Sequence, residues 1–434
     1  MLERLRGRYI EFWTYWIQLF KLLLEIEMPE VKSNRSVKNG SMPIILVSLA
    51  AAHSVLPGVL NTFFYGNKGL VAIGPLTGLS ATLIAVLFAL SIFWKLLLLN
   101  NFQLLQLNLR PLGFSLLPWG AYLVSTAINQ DPIGIQLFLF PLLMVYFASH
   151  GVNVLFLRSV AIATMTIGLI TAAYTLRYPE FAIFTADKNV YLIQTFLPNG
   201  GLVTGGYSHP NLLASIMCLG TAFSFYLSRE FRVICNVSFG LIILFTGSRT
   251  SLICFLLIIF LNSSISNSRR FTRTLLRGTL IVSGLSIIVV PLFQSSISSF
   301  SGRSGIWKSS MQLWATHPMF GGGPMTYLNL RRVFNDLGEY AFNGHNLFIN
   351  TVTTLGIVGF LSFTIFISYN IKKLWKIEIH DRPIAVWLIT FLALSILEVR
   401  FEIANLSQVG FVSWFAFGYI LFRNPTQRIF IRPQ

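Results

Sequence analysis

Residues 301–346 read SGRSGIWKSSMQLWATHPMFGGGPMTYLNLRRVFNDLGEYAFNGHN. They form the longest polar interval in a chain otherwise built of apolar runs. The interval gathers Arg303, Lys308, Arg331 and Arg332, a triple glycine at 321–323 and a Gly344-His345-Asn346 ending. Apolar runs at 275–293 and 345–370 flank it directly. Each run has about the length, near 20 residues, that a helix needs to cross the hydrocarbon core of a bilayer. A loop that keeps so many donors between two such helices is suited to holding an anion.

Outward from this loop the pattern repeats. Of the 434 residues 54% are hydrophobic and only 11% are charged, and the mean hydropathy is +0.68. Soluble domains carry roughly 25% charged residues. The runs are continuous rather than alternating, so the expectation is an all-α integral membrane protein rather than a barrel. About twelve spans follow, at 42–60, 70–93, 111–128, 132–149, 153–176, 210–228, 231–247, 250–267, 275–293, 345–370, 383–397 and 404–422. With the N-terminus in the cytoplasm, inside segments hold 23 Lys and Arg and outside segments nine. That split obeys the positive-inside rule with both termini cytoplasmic, and it explains the net charge of +17 without nucleic acid. The expected organisation is a cytoplasmic N-terminus at 1–40, a transmembrane bundle at 41–293, a large outer loop at 294–344, C-terminal spans at 345–422 and a basic tail at 423–434. Within 1–40, Glu11, Thr14, Gln18, Lys21 and Glu25 form one polar stripe on an otherwise apolar helix. This reads as a helix lying in the interface, with a short first span as the competing reading. No cleavable signal peptide is evident at the start. Cys218, Cys235 and Cys254 lie inside apolar runs and read as packing residues.

Several outer residues carry possible chemistry, each with a plainer reading beside it. Arg249, in FTGSRTSL, is either a cation fixed at a cavity or a side chain snorkelling to the interface. Arg303, in SGRSGIW, is either an anion ligand among small residues or a solvated loop arginine. Arg331 and Arg332 extend an anionic track or form a solvated face. His345 and Asn346 open the tenth span. A helix start disfavours the imidazolium, so His345 suits a general base, or else caps or packs. His209 and Asn211, in GGYSHPNLL, open the sixth span, with Pro210 suited to a first helical turn and free amides there suited to phosphate. His209 is the weaker base. Glu398 and Glu402, four residues apart, would share a helix face and bind a sugar hydroxyl, or simply pair with Arg400. Gly321–Gly323 reads as a plain turn.

Seven carboxylates fall on the outer side, with no Asp-x-Asp. His53, His150, His317 and His380 show no ligand spacing. No metal and no cofactor are therefore expected, and arginines would neutralise phosphate charge instead.

In order, GGYSHPNLLAS, GSRTSL, SGRSGIW with HPMFGGGP, and GHNLFINTVTTLGIVGF resemble the O-antigen ligase and polymerase family of bacterial envelope polysaccharide enzymes. The resemblance covers roughly residues 200–370. It implies a C-type membrane glycosyltransferase of the inner membrane with its active site facing the periplasm. Such an enzyme moves a glycan from undecaprenyl pyrophosphate to a hydroxyl, without a metal and with inversion. It also implies that Arg249 and Arg303 hold the pyrophosphate and that His345 activates the acceptor. Ligases use lipid A core as acceptor and polymerases another repeat unit; the expectation here is ligase-like, with a polymerase as the alternative. Related protein-glycosylating enzymes often carry a further C-terminal domain, and the short tail here counts against them. The rival from another class is a transporter of an anion such as bicarbonate. That rival calls for two related halves meeting near the midplane, which the sequence lacks.

Overall fold

The computed structural model describes residues 41–65, 75–97, 108–185, 197, 201–207, 209–263, 269–293, 300, 303–328, 343–375, 381–401, 403 and 409–423. The interfacial helix expected within 1–40 lies outside them. Thirteen helices of ten residues or more are described: α1 Ser41–Tyr65, α2 Pro75–Leu97, α3 Leu109–Ile128, α4 Leu139–His150, α5 Val154–Arg177, α6 Pro210–Ser224, α7 Arg229–Thr246, α8 Arg249–Ser263, α9 Arg269–Leu292, α10 Arg303–Thr316, α11 Leu347–Leu374, α12 Arg382–Leu394 and α13 Gly410–Phe422. A helix lies over each of the twelve apolar stretches. Five are long and apolar enough to cross a membrane: α1, α3, α5, α9 and α11. The thirteenth, α10, forms inside the interval expected to be loop. It starts at Arg303 and buries Ile306, Trp307 and Ser310, so this part of the interval is packed structure.

The contacts divide the chain into two compact units, residues 1–84 with 154–248 and residues 85–153 with 249–434. In the first, α5 packs against α1, α6 and α7. Its buried positions run around the whole helix, as a central apolar helix requires. Gly220 of α6 lets the backbones approach, because a Cβ there would lie 2.4 Å from the Thr164 side chain. A short antiparallel pair, β1 Ile183–Thr185 and β2 Gly201–Val203, joins Ile183 to Val203.

In the second unit α11 is the axis. It packs on α3, α10, α9 and α13, while α12 packs on α8 and α9. Its helix is broken at Gly356, with φ 66° and ψ −164°. The break is filled by residues 318–323 of the polar interval. Ile357 N donates to Pro318 O at 2.9 Å, and Val358 N to Met319 O at 3.2 Å. In the other direction Gly322 N donates to Thr353 O at 2.9 Å and Gly323 N to Thr354 O at 3.1 Å. Ser125 Oγ of α3 lies 2.7 Å from Phe320 O and 2.8 Å from Thr354 O. Both strands of this interlock need glycine. A Cβ on Gly321, φ +70°, would meet Thr354 backbone at 2.4 Å, and one on Gly356 would meet Met319 O at 2.3 Å. The triple glycine is thus a clamp across α11 and not the plain turn expected.

Candidate active site

The site grows from the segment that enters α11. Gly344 is held on three sides. Its carbonyl accepts from Nε1 of the fully buried Trp307 at 2.9 Å. Its N–H donates to Asn350 Oδ1 at 3.1 Å, and a Cβ would lie 2.7 Å from the Tyr327 hydroxyl. His345 follows in the left-handed region at φ 46°, a conformation that costs a non-glycine residue of order 1–3 kcal/mol. Its N–H donates to Asn343 Oδ1 at 2.8 Å. Asn346 then caps α11, its Oδ1 accepting from Ile349 N at 2.9 Å. Its Nδ2 donates to Ile287 O of α9 at 2.8 Å and to Ile396 O at 2.9 Å. Asn346 is wholly buried. Expected at the substrate, it serves instead as a joint tying α9, α11 and the turn after α12 together.

That turn brings the acid. α12 stops at Leu394, and Ser395 O accepts from Leu347 N at 3.0 Å. Residues 398–401 run on without helix. The expectation that Glu398 and Glu402 share a helix face therefore fails for Glu398, and Glu402 lies outside the described residues. Phe401 anchors the segment from below, 5.2 Å from Phe417, 5.4 Å from Phe363 and 5.6 Å from Phe366 between ring centroids. Aromatic pairs of this kind are worth about 0.5–1.5 kcal/mol each beyond their burial.

Glu398 sits between two arginines and the histidine. Arg303 Nη2 donates to Glu398 Oε1 at 2.7 Å. Arg400 Nη2 lies 3.2 Å from Oε2, and His345 Nδ1 lies 3.6 Å from the same oxygen. Burial pushes the Glu398 carboxyl up. The Arg400 charge, the His345 contact and the Arg303 charge outweigh it and hold the group well below the usual carboxylate range. Exposure separates the two arginines. The Arg400 side chain is 2% exposed, whereas those of Arg303 and His345 are 17% and 19% exposed. Arg400 thus neutralises from beneath, and Arg303 and His345 retain access to a ligand. Among the described residues, two guanidinium groups face one carboxylate beside a histidine ring. Such a site attracts an anion and can take up a proton.

Arg249 is the exposed first residue of α8. Among the described residues its guanidinium makes no ion pair with this cluster. His209 and Asn211 belong to the first unit. There His209 caps α6, and its Nδ1 accepts from Asn211 N at 3.1 Å. The amide expected to be free for phosphate is thus occupied. Arg331 and Arg332 lie outside the described residues. Sequence reasoning took Arg400 only as a partner for the glutamates and overlooked Trp307. A tryptophan four residues after Arg303, the spacing that puts both on one side of a helix, was the signal that this stretch packs.

Residues 234–364 match the family model described as O-Antigen ligase. The chain carries a domain of that family. No curated protein matches the chain. The matched range of the O-antigen ligase domain holds Arg249, Arg303, His345 and Asn346, while Glu398 and Arg400 come from beyond it. The family's members are glycosyltransferase-like ligases and polymerases acting on lipid-linked glycans, which agrees with the apolar helices of this membrane protein.

Proposed function

We propose that the chain is an O-antigen ligase-like glycosyltransferase. It moves a glycan from undecaprenyl pyrophosphate to a hydroxyl acceptor on lipid A core, at the periplasmic face of the inner membrane. Both termini are then cytoplasmic and residues 294–344 periplasmic. The observation that carries the reading is the carboxylate of Glu398 held between Arg303 and Arg400 with His345 Nδ1 alongside.

In the reaction, the acceptor O–H gives its proton to His345 as its oxygen bonds to the anomeric carbon. The bond from that carbon to the pyrophosphate oxygen breaks, and its electron pair leaves with the pyrophosphate. Attack from the opposite face inverts the carbon. A carboxylate beside Nδ1 favours the tautomer protonated there, leaving Nε2 to accept the proton. Arg303 stabilises the charge that grows on the leaving group, joined by Arg249 across the donor. Pyrophosphate is already a good leaving group, so no metal is required in this scheme.

The test is transfer by purified protein in detergent with a chelator present. Lipid A core and a second donor molecule are offered separately as acceptors, with His345→Ala and Arg303→Ala alongside. Product on lipid A core that fails with both variants supports the ligase. Product only on the second donor makes the chain a polymerase. No product with either acceptor, together with anion uptake into liposomes that depends on Arg249, overturns the reading in favour of a transporter.

A further inference from the structure

The opposite end of the same helices carries a second basic site. A small open cleft with room for about 70 Å³ lies among the start of α9, the end of α11 and the start of α12. Arg273, Arg277, Arg382 and Trp375 line it, with Leu280 and Ile389 at its floor. The floor is buried, with Leu280 4% and Ile389 1% exposed.

The arginines are held, and among the described residues no carboxylate pairs with them. Arg277 stacks its guanidinium over the Trp375 ring at 5.4 Å. Arg382 Nη1 donates to Asn262 O at 3.1 Å, and its Nε is a buried donor without a hydrogen-bond partner among the described residues. The carboxylate lining the cleft, Asp381, is engaged by Arg423 and by the Tyr419 hydroxyl. Three guanidinium groups thus line a space whose carboxylate among the described residues, Asp381, is already paired.

The face of α9 below the cleft decides between a free anion and a lipid. Arg273, Arg277, Ile281, Leu285 and Val289 follow one another at steps of four, along an exposed row inclined to the helix axis. Ile281, Leu285 and Val289 are 54%, 58% and 45% exposed. From Arg277 to Val289 the helix rises about 18 Å. One leaflet of hydrocarbon is about 15 Å deep, half of a 30 Å core. A cationic head and an apolar track of leaflet length along one exposed row match a phospholipid and exceed what an inorganic anion needs.

We propose that this cleft binds the phosphate headgroup of an anionic phospholipid, whose acyl chains lie along the Ile281–Val289 face of α9. The lipid comes from the leaflet opposite the one that His345 faces. Arg277 and Arg382 contact the phosphate, and Trp375 holds Arg277 in place. The site makes no use of the transfer chemistry, so it stands or falls separately from it.

The experiment is native mass spectrometry of the full-length protein in detergent, titrated with phosphatidylglycerol or phosphatidylcholine. The wild type should retain phosphatidylglycerol selectively. A cationic side chain near the surface contributes about fivefold to such binding, so Arg277→Gln should weaken it about fivefold and Arg277→Gln/Arg382→Gln further. Arg382 also holds Asn262, so its loss risks the fold. Arg277 is an exposed side chain, and the single variant carries the test without that risk. Equal binding of phosphatidylglycerol by Arg277→Gln and wild type overturns the proposal, as does equal binding of phosphatidylcholine. Displacement of the lipid by an equal concentration of inorganic phosphate assigns the site to a soluble anion and removes the lipid.

Discussion

At one end of α11 and α12 a glutamate lies buried between two arginines; at the other end an aspartate lies buried against one. Glu398 is held by Arg303 and Arg400, with Arg400 2% exposed. Asp381 is held by Arg423, whose side chain is 21% exposed. The difference lies in what each arginine does when its acid is taken away. Arg423 has water within reach and can turn to it. Arg400 has almost none, so its charge would remain buried without that partner. A buried charge that cannot escape fixes its neighbours in place, and that rigidity suits a site that positions a base and a leaving group. Arg423 keeps a partly exposed charge that tolerates motion.

The largest expected effect follows from this contrast. Glu398→Ala takes a buried partner from Arg400 and should cost about 3–5 kcal/mol of stability. Asp381→Ala should cost about 1–3 kcal/mol, since Arg423 can rehydrate. Thermal unfolding of both variants in one detergent measures the pair. Equal losses would mean that exposure of the partner arginine does not set the cost, and the contrast would collapse.

Second comes Gly356→Ala, which probes the break separating the two ends of α11. Its φ of 66° and the 2.3 Å approach to Met319 O leave no room for a methyl group. The loss should be about 2–3 kcal/mol. The damage should appear at the His345 end, because residues 318–323 lead from α10 back toward that segment. Transfer activity should therefore fall more than phosphatidylglycerol binding does. The reverse order would show that the interlock supports the other end.

Third, Arg303→Lys keeps the charge and loses the planar fork. Transfer should fall about tenfold, the equivalent of 1.4 kcal/mol, with little change in unfolding temperature. A change of less than twofold would reduce Arg303 to a source of electrostatic potential.

Much of this site was legible in the sequence, for a simple reason. A polar residue beside long apolar runs stands out, and Arg303, His345 and Glu398 all did. The expected spans likewise coincide with helices because apolar length is a local signal. Two things were not legible. The fit between Gly321–Gly323 and Gly356 depends on two segments more than 30 residues apart meeting in space, and a run of glycines on its own reads as a turn. The end of α12 at Leu394 was hidden as well. Residues 395–401 are as compatible with a continued helix as with the turn and non-helical segment observed, where Leu347 N donates to Ser395 O. The helix-face argument for Glu398 and Glu402 failed there.

The smallest effect concerns acid. Glu398 is held well below the usual carboxylate range by the groups around it. A carboxyl with a depressed value in the fold stabilises the fold above its unfolded value, about 4.3, and that stabilisation is lost as pH falls through the depressed value. Glu398 should therefore add nothing to the pH dependence of unfolding between about pH 6 and 8. Its contribution should fall away below about pH 4. Glu398→Gln removes the titrating group and should flatten that acid limb while lowering stability at neutral pH. Unfolding temperatures of wild type and variant should then converge as the pH drops. If the two curves instead stay parallel down to acid, Glu398 is not the group that titrates, and the charge balance drawn between Arg303, Arg400 and His345 has to be redrawn around a different acid.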